Sequence, residues 1–261
     1  MSYSYWQNRM AISQQNLTKK TRAEIDSQLK KYYQKASQTV IAEFENTYNK
    51  IKVTEDSGRV ATPADLYKLD KYWNLQSQLN TILQKLGDKQ IALFTKAFQE
   101  NWWAVYNFIS LDSEAAYYTL PSNETVLQLI NQIWCADGKS WSQRIWVNNN
   151  LLADALNEGL IRTITNGTPP AQLKKDLMEV FNVSYHRADA LVRTELTHIQ
   201  TQAAKQRYTD YGIKEVEIYV DEDERTCPIC AKLEGKRYLV NAPVPIPAHP
   251  RCRCCIVPVI N

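Results

Sequence analysis

The sequence is poor in glycine and histidine, with seven and three in 261 residues, and it has no run of about 18 apolar residues. The last absence excludes a membrane-spanning helix. The opening MSYSYWQNRM also lacks the apolar stretch of a signal peptide, so the chain is expected to stay in the cytosol where it is made. In that reducing compartment disulfides are the weaker reading of its six cysteines. Common catalytic signatures are missing too. None of His186, His198 and His249 is followed two residues on by Glu, as a zinc deaminase requires. No H-E-x-x-H, G-x-S-x-G or G-x-x-x-x-G-K-[ST] occurs.

A strong charge imbalance is lacking as well, since the formal net charge is +3. Its distribution is uneven. Residues 1 to 110 carry 15 Lys and Arg against 10 Asp and Glu, and the remainder 16 against 18. A basic front can face DNA, although a solvated helix surface is the plainer account. With 44% hydrophobic residues the chain can bury at least one ordinary core and has length for two domains.

What is present is helical periodicity. Ile25, Leu29, Tyr32, Ala36, Val40, Phe44, Tyr48 and Ile51 step by three or four and draw one stripe along a helix expected from Lys19 to Lys52. That stripe outruns a small core, so partial coverage in the monomer is expected. Thr62, Pro63 and Asp65 mark a second start, with Leu66, Leu69, Trp73, Leu79, Leu83 and Leu86 leading to a stop at Gly87. Asp88 can cap a third helix that buries Ile91, Phe94, Phe98, Trp102, Val105 and Ile109. Pro121, Ser122 and Asn123 interrupt the pattern, before helices near 124 to 135 and 140 to 165. Another begins at Thr168, Pro169 and Pro170, and Ser184 opens one from Tyr185 to Tyr211 that Gly212 ends. The lone Cys135 reads as a small buried hydrophobe.

Past Gly212 the texture changes. IKEVEIYV, residues 213 to 220, alternates as a strand, followed by an acidic turn, a proline-rich loop and an end strand CCIVPVI. The expected fold is mainly α, with long N-terminal helices and a small C-terminal α+β module. The expected division is a helical arm or bundle over 1–115 and a helical plus small β domain over 116–261.

Five of the six cysteines and one histidine fall in the last 35 residues. Cys227 and Cys230 have the C-x-x-C spacing of a zinc knuckle, and His249 and Cys252 repeat it as H-x-x-C. Two pairs can supply the four ligands of a closed, structural Zn2+ site, the alternative being a set of free thiols in a loop. Cys254 is the alternative fourth ligand, because in an extended segment Cys252 and Cys254 point the same way and Cys255 points away. Few large apolar side chains and four prolines between Pro243 and Pro250 leave this segment in need of such a staple.

Glu215 and Glu217 have the E-x-E spacing of ADP-ribosyltransferases, which alternating charges on a half-exposed strand also produce. Arg193 and Glu195 in Arg-Thr-Glu are expected as ion partners of the zinc module, with ordinary surface charges as the alternative. An HNH-type nuclease, or a zinc-stapled DNA-binding protein, is the rival reading. The nuclease needs a free histidine as base, and only His186 and His198 are spare. No catalytic residue is assigned.

The series Arg193-Thr194-Glu195, Tyr211-Gly212, DERTCPICAKLEGK and HPRCRC resembles the Mu-F-like minor head proteins of tailed bacteriophages, the head-morphogenesis family, over roughly residues 150 to 258. Asp223, Arg225, Thr226, Cys227, Cys230, Leu233, Gly235, His249, Pro250, Cys252, Arg253 and Cys254 occupy its motif positions. Tyr219 departs from it, where the family often carries tryptophan. The resemblance implies a non-enzymatic minor capsid protein inside the virion at the portal vertex, made in the host cytoplasm. Its implied partners are the portal protein, packaged double-stranded DNA, and scaffold or major capsid protein, with no membrane.

Overall fold

A computed structural model describes residues 3–55, 70–109, 120–166, 170–220 and 226–260. The elements are α1 (Tyr3–Glu55), α2 (Asp70–Phe108), α3 (Asn123–Ile130), α4 (Trp141–Asn166), α5 (Pro170–Asp210), β1 (Glu215–Tyr219), α6 (Pro228–Ala231), β2 (Arg237–Leu239) and β3 (Cys255–Pro258). The fold is thus mainly helical with long N-terminal helices and a small C-terminal sheet, as expected. The expected start at Thr62, Pro63 and Asp65, with Leu66 and Leu69, lies outside the described residues. So do Thr168, Pro169, the acidic turn, Asp223 and Arg225.

The chain divides into two compact units, Met1–Asp26 with Leu93–Trp141 and Asp189–Asn261, and Ser27–Ala92 with Ser142–Ala188. Both draw residues from either side of position 115. In the second unit Leu29, Tyr33, Ala36, Val40 and Phe44 of α1 are buried, with Leu79, Leu83 and Leu86 of α2 and Leu173, Leu177 and Phe181 of α5. The stripe on α1 is therefore covered between 29 and 44, with Tyr33 rather than Tyr32 on the buried side, while the side chains of Tyr48 and Ile51 lie outside the described residues. Other parts of the same chain supply the apolar surface that an isolated helix would want. The Tyr33 hydroxyl lies 3.2 Å from Ser184 Oγ and accepts from Asn148 Nδ2 at 3.1 Å, so this core also closes a polar network.

Gly87 does not stop a helix, nor does Asp88 cap one. The buried positions Leu79, Leu83, Leu86, Gln90 and Phe94 continue through α2 at one period. A Cβ at Gly87 would lie 2.5 Å from a Trp146 ring carbon and 2.7 Å from the Asn149 amide nitrogen. This glycine is a close-approach residue. Gly87→Ala should raise the helix propensity of α2 yet destabilise the protein by about 1–3 kcal/mol through overpacking. Thermal denaturation checks the sign, and a stabilised variant would contradict the contact.

Ser184 likewise opens no helix. It is buried inside α5, where Leu173, Leu177, Phe181, Ser184, Ala188 and Val192 form one unbroken stripe. Gly212 does end α5, with φ at +71°, and its N–H donates to Thr209 O at 2.9 Å. Ser122 caps α3 by accepting from Thr125 N at 3.2 Å.

The sheet belongs to the first unit, with order β2-β1-β3, all neighbours antiparallel. Strand β1 pairs Val216 with Tyr238 on one side and Ile218 with Ile256 on the other. Val216 and Ile218 face the core, as the alternation predicts, whereas all of β3 is buried. Strand β2 had no signal of its own in the sequence. In the same unit Gln14 of α1 donates to the Tyr208 hydroxyl at 3.2 Å, and Gln200 donates to Gln14 at 3.3 Å. The aromatic core of α2 lies here, with Trp102 stacked on Tyr106 and Phe98 edge-on to Trp141.

Candidate metal centre

Two short backbone devices bring the cysteine cluster together. On the first, Cys227 is the N-cap of α6, and its sulfur accepts from Cys230 N at 3.4 Å. Pro228 fits the first helical position because it has no N–H to leave unpaired. On the second, Cys252 N donates to His249 O at 3.2 Å, closing a turn in which Arg251 has φ of +65°. A non-glycine residue there costs about 1 kcal/mol and persists only where its surroundings fix it.

His249 Nε2 lies 3.2 Å from Cys227 Sγ and 3.1 Å from Cys230 Sγ. Its Nδ1 is 2.7 Å from Pro250 O, which places the ring proton there and turns the Nε2 lone pair to the sulfurs. Cys230 Sγ is 3.8 Å from Cys252 Sγ. Two sulfurs each about 2.3 Å from a tetrahedral ion would stand about 3.8 Å apart, so this pair fits. Donor atoms form two overlapping trios, Cys227, Cys230 and His249, then Cys230, Cys252 and Cys254, each within 4.8 Å. Cys230 belongs to both. The clusters can hold a metal ion.

A hydrogen bond from Cys254 favours the Cys252 thiolate, and the same bond holds Cys254 protonated. Burial pushes Cys230 up, while the Cys230 backbone N–H draws Cys227 down. A thiolate-selecting cation would displace the remaining protons. Cys255 stands in β3, fully buried, and enters neither trio.

Helix α5 frames the second turn. Thr197 Oγ1 donates to Cys252 O at 2.6 Å, and Thr194 Oγ1 accepts from Arg251 N at 3.0 Å. Asp189 receives Arg193 Nε at 2.9 Å and lies 3.6 Å from Arg251 Nη2. Arg193 is therefore tied to the turn through a shared carboxylate. The Glu195 carboxylate accepts from Trp134 Nε1 at 2.9 Å. Asp189, Thr197 and Trp134 were missed in the sequence. Asp189, Arg193 and Thr197 stand four apart on one helix face, a signal that could have joined them.

His198 stacks on Trp134 with ring centroids 4.3 Å apart, and its Nε2 has no hydrogen-bond partner among the described residues. Burial first, then the Lys205 charge, lowers its pKa to about 4. His186 lies in the second unit beside Tyr185. Glu217 of the E-x-E pair forms a cross-strand bridge to Arg237 at 2.9 Å, which gives it a structural partner. Among the described residues no helix is long and apolar enough to cross a membrane.

A knuckle and a histidine turn framed by one helix and a three-stranded sheet define a small Cys/His-clustered module. Residues 154–257 match the family described as Phage Mu protein F like protein. The resemblance to Mu-F-like phage head-morphogenesis proteins is borne out over that span. No curated protein and no solved structure matches the chain significantly.

Proposed function

We propose that the protein is a minor capsid protein of a tailed phage, located inside the head near the portal vertex. It acts in head assembly, contacts the portal and other head proteins, and takes part in packaging or delivering DNA. The match of residues 154–257 to the Mu-F-like family carries this reading. In it the cluster binds one Zn2+ through Cys227, Cys230, His249 and Cys252, with Cys254 as the alternative fourth ligand. Four protein ligands leave no open position for polarising water, so the ion acts as a staple.

The rival HNH-type nuclease needs an imidazole that reaches substrate. Burial of His198 against Trp134 supports the structural reading instead. The test is a pull-down of the full chain with the portal protein of the same genome, alongside incubation with plasmid DNA and divalent metal. Portal capture without cleavage is expected. Absence of portal binding, or metal-dependent cleavage lost in His186→Ala or His198→Ala protein of intact fold, would overturn it.

A further inference from the structure

The first unit contains a cavity of about 90 Å³ between α1, α5 and the turn after His249. Five of its lining residues are cations: Lys19, Arg22, Arg193, Arg251 and Arg253. None of its described lining residues is acidic. The carboxylate of Asp189 engages Arg193 and Arg251 from beside the cavity, and Asp26 acts on Arg22, so the surroundings stay net positive. We propose that this cavity is a binding site for a phosphate group, held by the guanidinium groups of α1, α5 and the turn.

Three arguments support that ligand. Planar guanidinium forks match a tetrahedral oxyanion, which can take several N–H donors at once. Like charges gathered in one cleft repel, and Arg22 sits among four other cations. Its pKa is lowered, first by burial and next by the charge of Arg193. An anion seated among them removes that cost. Finally, the cavity has the size for one compact group rather than a run of acidic side chains.

Arg251 and Arg253 flank Cys252, so the turn that supplies metal donors also presents two of the five cations. The Arg251 backbone, held left-handed and bonded to Thr194, fixes where that side chain starts. Folding the Cys/His turn and assembling the phosphate site are therefore one event. The phosphate can be inorganic or nucleotide phosphate, or the phosphodiester of a nucleic-acid strand. Only the second source rests on the head-assembly reading.

The test uses the full chain with its metal as purified. Inorganic phosphate and a duplex DNA are each titrated into wild-type, Arg22→Gln and Lys19→Gln protein, with melting temperature and metal content as controls. Lys19 is exposed, so its variant tests charge even where Arg22→Gln perturbs folding. The expected result is phosphate binding by wild type, about tenfold weaker in Arg22→Gln and weakened in Lys19→Gln. A parallel loss for DNA, with the salt slope smaller by about one, assigns the site to a strand. Unchanged DNA binding with weakened phosphate binding assigns it to free or nucleotide phosphate. No phosphate binding by wild type, equal binding by both variants, or preference for a polyglutamate peptide overturns the proposal. Portal binding is measured separately, so a failed pull-down leaves the phosphate result standing.

Discussion

Cys230→Ser protein should lose its metal and the order of residues 226–258 together. Cys230 stands in both donor trios, so the outcome does not depend on which cysteine is the fourth ligand. The proline-rich segment has little core of its own, and zinc binding contributes about 10–16 kcal/mol in small zinc peptides. A loss of at least about 5 kcal/mol is therefore expected, enough to unfold the module against ordinary domain stabilities. Limited proteolysis should cut first between 226 and 258 and leave the helices of the second unit longer-lived. The pair Cys252→Ser and Cys254→Ser then assigns the fourth ligand, since only the true ligand's replacement releases the ion. A Cys230→Ser protein with wild-type resistance would refute the staple.

A second large effect should follow pH through His198. In the folded protein its pKa is about 4 against an ordinary 6.5, because burial disfavours the imidazolium and Lys205 adds to that. As pH falls below 6.5 the unfolded chain takes up the proton first, so its free energy drops while the folded state stays neutral. The stability fully present above pH 6.5 is lost progressively down to about pH 4, by about 3 kcal/mol for this residue. His198→Phe retains a ring to stack on Trp134 and removes the titration. Denaturant unfolding across that window should show a shallower acid loss in the variant. Every other titrating group is common to both proteins, so the difference between the two curves isolates His198. Parallel curves would contradict the buried neutral imidazole.

The sequence showed the helices more readily than their continuity. The two expected breaks that the structure does not show, at Gly87 and Ser184, fell where a small or polar residue interrupts a buried stripe that continues beyond it. Gly87 leaves room for Trp146, and Ser184 meets Tyr33 and Asn148. These partners are distant in sequence, and a periodicity pattern read locally cannot tell a close-packed glycine from a terminating one. The bond from Trp134 to Glu195 was hidden for the same reason, since the two lie 61 residues apart.

The candidate donors were more legible, because thiolate and imidazole pairs at short spacing have few other uses. Alternation in the last strand also separated Cys255 from Cys252 and Cys254, and the structure places it outside both trios. What the spacing could not reveal was the frame. Asp189, Thr194 and Thr197 support the turn through a 3.6-residue period on another element, and ordinary surface helices carry such residues as well.

The central claim is that the Cys/His cluster is a metal-held staple. Elemental analysis of the purified full chain, combined with native mass measurement, tests it most directly. One zinc per chain is expected, released by a chelator together with folded structure in the C-terminal module. A metal-free protein that is fully folded and remains protease-resistant would contradict the account.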